Sequence, residues 1–192
     1  MPRRSALLAA LLAGGLPLAA AAALPNALPE GSANAPVPAL DLERYAGRWH
    51  EVARLPMFFQ RKCLGDTTAT YTSRADGSIE VRNACRTEDG GIESTGAARR
   101  AGDGGALEVR FAPDWLGWAS VVWADYWVVD LDPEYRWAVV GGPKQGAMWV
   151  LSREPTLDPA LFERIRQRAE ARGYRLAELV IHPAQRARMA AG

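Results

Sequence analysis

From Leu42 onward, apolar and polar residues alternate over short runs, each closed by turn-forming residues. Alternation of period two puts successive side chains on opposite faces of a strand. The pattern therefore predicts strands at about 48–54, 66–73, 78–86, 94–101, 106–111, 124–131, 136–141 and 147–153. Arg74-Ala75-Asp76-Gly77, Gly102-Asp103-Gly104-Gly105 and Asp132-Pro133-Glu134 join three of the pairs with hairpin chemistry. Eight closely spaced strands predict an all-β, antiparallel up-and-down β-barrel, whose interior holds one small ligand. One stretch breaks the period. Asp158 can cap PALFERIRQRAEARG, which places Leu161, Phe162, Ile165 and Ala169 on one face and stops at Gly173. This single C-terminal α-helix must bury its stripe on the outer wall, because the strands already use the inside.

The N-terminus has a different grammar. Arg3 and Arg4 precede an apolar run from Ala6 that ends in small residues, so residues 1–23 read as a signal peptide. A membrane anchor is the competing reading, but Gly and Pro interrupt the run and no basic cluster follows it. Residues 24–40 then read as an extended leader, 41–183 as the barrel with its helix, and 184–192 as a tail. No cysteine stands near the cleavage region to carry a lipid. The expected location is therefore the periplasm or outside the cell, with association to the outer membrane the second choice. The net charge of +1 is scattered along the chain, which argues against nucleic acid as a partner. Cys63 and Cys85 are the only cysteines, and in an oxidising compartment they favour a disulfide over a metal site. Zinc would need more ligands than His50 and His182 supply, and no metal or cofactor is expected. Closing that loop contributes about 3 kcal/mol.

Three segments occur in order within residues 40–183: Gly47-Arg48-Trp49, then Asp130-Leu131-Asp132 with Tyr135, then Trp149-Val150-Leu151-Ser152-Arg153. Together they resemble the signature regions of the lipocalins, in particular the bacterial, apolipoprotein D-like branch. The resemblance implies that Trp49 points inward at the closed end with Arg153 stacked on it, a structural cation–π pair worth about 1–2 kcal/mol. Gly47 would allow the tight entry into the first strand.

With Trp49 as anchor, strand parity converts the resemblance into a lining. On the first strand Glu51 and Ala53 face in, and His50, Val52 and Arg54 face out. Ala69 and Tyr71 follow on the second strand, Val81 and Asn83 on the third, and Val109 and Phe111 on the fifth. Tyr126 and Val128, Val140 and Trp149 complete the expected ligand contacts from the last three strands, with Phe58 at the mouth. Met57, Phe58 and Phe59 in one loop, and Trp115, Leu116 and Trp118 in another, would expose apolar surface there unless they cover the ligand or touch a membrane. Small residues such as Ala69, Gly96, Ala98 and Ala138 are too small to fill the interior, which predicts a cavity.

This lining suits a hydrophobic or amphiphilic molecule. The implied function is binding, transport or storage of a fatty acid or lysophospholipid for the cell envelope, with peripheral membrane contact and homodimerisation left open. The alternatives are a carrier of pigment, tetrapyrrole or another hydrophobic molecule and, less favoured, an enzyme using Glu51. No Ser-His-Asp arrangement, metal cluster or phosphate loop can be assembled from this sequence, so no catalytic residue is assigned.

Overall fold

A computed structural model describes residues 33–112, 119 and 122–191. The expected signal segment, the first part of the leader, and Trp115, Leu116 and Trp118 lie outside the described residues. The strands are β1 (Gly47–Arg54), β2 (Gly65–Ser73), β3 (Ile79–Thr87), β4 (Gly90–Arg100), β5 (Ala106–Arg110), β6 (Ala124–Leu131), β7 (Trp137–Gly141) and β8 (Trp149–Ser152). Each pairs antiparallel with its sequence neighbour. β1 pairs with both β8 and β2, so the sheet closes into the expected eight-stranded up-and-down barrel. The turns use the predicted chemistry, with Gly77 and Gly104 at positive φ of 81° and 60°.

Two apolar clusters divide the molecule. Trp49, Tyr71, Ile79, Val81, Ala98, Leu107, Tyr126, Val128, Ala138, Val140 and Leu151 pack inside the barrel. On the outside, helix α2 (Pro159–Ala171) buries Phe162, Ile165 and Ala169 against Val52, Val129, Trp137, Val139 and Val150. The Asp158 carboxylate accepts the Leu161 N–H at 3.0 Å and caps this helix as its sequence implies. A short helix α1 (Leu42–Tyr45) precedes β1 and carries Tyr45 under the barrel.

Two β-bulges interrupt the ladders. One lies between Glu51 and Ala53 of β1 opposite β8, the other between Val128 and Asp130 of β6 opposite β7. A bulge sets two residues against one on the partner strand, so every later side chain changes face. Ala53 is thereby paired with outward Val150 and joins Val52 in the cluster under α2. This corrects the expectation that Ala53 lines the cavity. Arg54, expected to face out, is instead paired with inward Trp149. On β6 the second bulge turns Asp130 outward, where its oxygens accept from Arg168 of α2 at 2.7 and 2.6 Å.

The described segments on either side of the barrel are both tied to it. Val37 donates to the Val128 carbonyl and accepts from the Gly105 N–H, both at 2.8 Å. The leader thereby pairs with the part of β6 that runs beyond the last β5 pairing at Ala106 and Trp127. At the C-terminus, strand β9 (Val180–Ile181) pairs with Ala53 and Arg54 of β1. The residues expected as a tail instead form helix α3 (Pro183–Ala190), anchored by fully buried Gln185. The Gln185 amide accepts the Leu157 N–H at 2.7 Å and donates to the Leu157 carbonyl at 3.2 Å, so a buried polar side chain meets both of its needs on one backbone residue.

Candidate functional site: the barrel interior

The floor is built from the N-terminal turn of β1. Gly47, at φ 94°, lies where an added Cβ would come within 3.3 Å of an Arg153 Nη atom, so both conformation and space favour glycine. The Arg153 guanidinium lies 3.8 Å above the Trp49 ring. It also donates to the carbonyls of Arg48 at 3.0 Å, Arg44 at 2.7 Å and Tyr135 at 3.2 Å. Tyr135 itself sits at φ 58°, a costly conformation for a tyrosine, held by these contacts and by Arg44 lying 4.2 Å over its ring.

Above the stack, Trp49 Nε1 donates to the Tyr45 carbonyl at 2.8 Å. The Tyr126 hydroxyl meets those of Tyr45 at 2.8 Å and Tyr71 at 2.6 Å. Burial pushes all three phenols upward, Tyr71 to about 12 and the other two well above 10. They are neutral hydroxyls at physiological pH. Tyr71 and Tyr126, expected as polar points of the lining, thus spend their hydroxyls on each other and on Tyr45. That third tyrosine has no strand parity to announce it, because it stands on α1.

From floor to mouth, the inward positions grade from sealed to open. On β5 Leu107 is fully buried and Val109 half-buried, and Phe111, just past its end, is 43% exposed. On β4, Ala98 is buried, Gly96 half-buried and Ile92 46% exposed. Tyr71 gives way to half-buried Ala69 on β2, Val81 to half-buried Asn83 on β3, and Leu151 to half-buried Trp149 on β8. Val128 and Val140 lie in the sealed part. An added Cβ on Gly96 would collide with the Arg110 carbonyl and fall 2.7 Å from the Phe111 ring, so this glycine makes room for the close approach of both.

A polar group stands between floor and mouth. Glu51 faces in opposite Leu151, with its Oε2 accepting from Gln60 Nε2 at 2.7 Å and its Oε1 3.6 Å from Arg54 Nε. Gln60 comes from a 3-10 turn, Phe58–Gln60, and its Oε1 accepts Trp149 Nε1 at 3.0 Å. Its carbonyl accepts Arg54 Nη2 at 3.3 Å. Burial raises the Glu51 carboxyl above its ordinary range, while Arg54 and Gln60 pull the other way. Neither Arg54 nor Gln60 was legible as an inward group. Gln60 lies in a loop, and the facing of Arg54 depends on the bulge.

Around the opening, Phe58 is 74% and Phe59 54% exposed, and the Phe59 ring stacks 6.5 Å from Trp149. The Cys63–Cys85 disulfide ties this loop to the end of β3, as the cysteine count implied.

A barrel packed shut at one end, apolar along its inner wall and rimmed by exposed aromatic residues at the other defines a class, the single closed up-and-down barrel. The chain belongs to the lipocalin family, since the lipocalin-like domain matches residues 40–184. It is 38% identical over 149 residues to temperature-induced lipocalin-1 of Arabidopsis thaliana, spanning 74% of this chain and 78% of that protein. Identity to the outer membrane lipoprotein Blc of Escherichia coli K12 is 34% over 148 residues, with 73% and 77% covered. Apolipoprotein D of Mus musculus is 29% identical over 130 residues, with 62% and 64% covered. In fold, insecticyanin from the tobacco hornworm Manduca sexta matches with a TM-score of 0.59 at 20% identity, covering 81% of this chain and 86% of its own. Per a 4 from cockroaches matches with a TM-score of 0.60 at 18% identity, covering 78% and 90%. Family membership supports the binding or transport of a small hydrophobic molecule.

Proposed function

We propose that the protein binds a fatty acid or lysophospholipid in the barrel and carries it through the cell envelope. The observation that carries this reading is the exposure gradient. Inward-facing Ala69, Asn83, Val109 and Trp149 remain reachable by solvent although inward positions below them are sealed. Interior surface wetted only from the mouth is where an acyl chain gains most, at about 0.8 kcal/mol per buried methylene before ordering costs. In this reading Ala69, Asn83, Val109, Phe111 and Trp149 contact the ligand, with Val81, Val128 and Val140 beneath its tail and Phe58 at its entry.

Exposed Phe58, Phe59, Leu64 and Phe111, with exposed Arg61 and Lys62 beside the first two, support loading from a membrane surface by peripheral contact of the mouth. The outer-membrane relatives and the small-residue N-terminus support export. Binding is favoured over catalysis because Glu51, the one inward carboxylate considered for acid–base chemistry, already accepts a hydrogen bond from Gln60 and faces Arg54.

Native mass spectrometry of protein from its own host, followed by titration with a fluorescent acyl probe, tests the reading. A copurifying acyl ligand and saturable probe binding are expected; their joint absence refutes it.

A further inference from the structure

Arg54 is 9% exposed and projects into the barrel interior, yet of its five N–H donors only one, on Nη2, makes a hydrogen bond, at 3.3 Å to a carbonyl. Its Nε is buried with no hydrogen-bond partner, and the nearest carboxylate oxygen stands 3.6 Å away. A buried N–H needs an acceptor, and for Nε a 3.6 Å contact with a carboxylate already bonded to Gln60 does not supply one. The contrast with Arg153 is direct, since that guanidinium donates to four carbonyls. The bulge between Glu51 and Ala53 is what turns Arg54 inward, opposite Trp149.

We infer that Arg54 is the receptor for an anionic headgroup, a carboxylate or a phosphate, whose acyl chain lies along the apolar wall; the inference rests on the lipid-binding reading above. The planar fork of a guanidinium matches the paired oxygens of either anion. Gln60 and Trp149 hold the other side of the group: the Gln60 side chain is spent on Glu51 and Trp149, so it offers Arg54 Nε no acceptor. Glu51 has the opposite role. Its charge stands beside the anion's place and opposes a second negative group, so it sets how strongly an acid is preferred over an uncharged lipid.

The test compares palmitic acid, its methyl ester and palmitoyl lysophosphatidic acid at neutral pH, on the full-length protein and on the variants Arg54→Gln and Glu51→Gln. The wild type is expected to prefer at least one of the two anions over the ester about tenfold or more, the scale of a hydrogen bond to a charged group. Which anion wins separates a fatty acid from a phosphate-bearing lipid. Arg54→Gln should keep ester affinity and lose the preference, and Glu51→Gln should enlarge it. Ester binding with no anion preference in the wild type overturns the headgroup assignment and leaves the lipid reading standing. An unchanged preference in Arg54→Gln, or an unchanged or smaller one in Glu51→Gln, also overturns it. The Glu51→Gln arm decides the matter alone should Arg54→Gln fail to fold. Failure of all three lipids to bind defeats the lipid reading, and this inference with it.

Discussion

The two ends of the barrel use the same kinds of residue to opposite ends. At the floor, Arg153 and Trp49 donate to backbone carbonyls, and three tyrosine hydroxyls are linked by two hydrogen bonds through Tyr126. Toward the mouth, Arg54, Trp149 and Glu51 form a group in which Arg54 Nε lacks a hydrogen-bond partner, below exposed aromatic rings. A satisfied polar group is rigid and specifies the fold. One with unmet donors invites a ligand to complete it. The contrast assigns structural duty to one end and recognition to the other.

The largest expected effect is at the floor. Replacing Trp49 by Ala should cost about 3–5 kcal/mol, as for other large buried rings, and also strip Arg153 of its stacking partner. A fall of the thermal midpoint too small to reflect such a loss would show that the floor is not what holds the barrel shut. Next comes Tyr126→Phe, which leaves the buried Tyr45 and Tyr71 hydroxyls without their common partner, at a cost of about 1–3 kcal/mol. Chemical denaturation measures it, and the variant should retain the acid-to-ester preference of the wild type.

A smaller effect, visible as a pH dependence, is expected of Glu51→Gln. Desolvation raises the folded carboxyl above its ordinary value near 4.5, despite Arg54 and Gln60. A carboxyl raised on folding contributes stability that is full below the ordinary value and lost as pH rises through the folded one. Wild type should therefore lose stability relative to Glu51→Gln on passing from mildly acidic to neutral buffer. Parallel melting curves across that window would show that the carboxyl is not desolvated. The smallest stability effect belongs to Phe58→Ser, within about 0.5 kcal/mol because the ring is 74% exposed. Its signature should be weaker association with lipid vesicles in a sedimentation assay, and unchanged association would remove Phe58 from the membrane-contact reading.

Much of the floor was legible because its signals are local or carried by a motif. Gly47, Trp49 and Arg153 stand at fixed places in the family motifs, and alternation anchored on those motifs placed Tyr71, Val81, Val128 and Val140 inside. The mouth was less legible. Parity counted forward from Trp49 holds through Glu51 and fails at Ala53, since one extra residue in the ladder reverses the facing of those that follow. A bulge is a mismatch between two strands, and neither strand alone displays it. Gln60 was missed for a related reason: it is a loop residue with no period, brought to Glu51 and Trp149 only when the loop folds back over the opening.

By itself, then, the sequence determined the eight strands and the wall helix through short-range periodicity and turn chemistry, the disulfide pair through its cysteine count, and the stacked floor only through its resemblance to a known family. Tertiary structure decided which way Arg54 points, what Glu51 is bonded to, and that the last residues dock as a helix through Gln185. Those outcomes depend on the register between distant strands and on hydrogen bonds between segments far apart in the chain. Burial exacts such matches only once the barrel has closed.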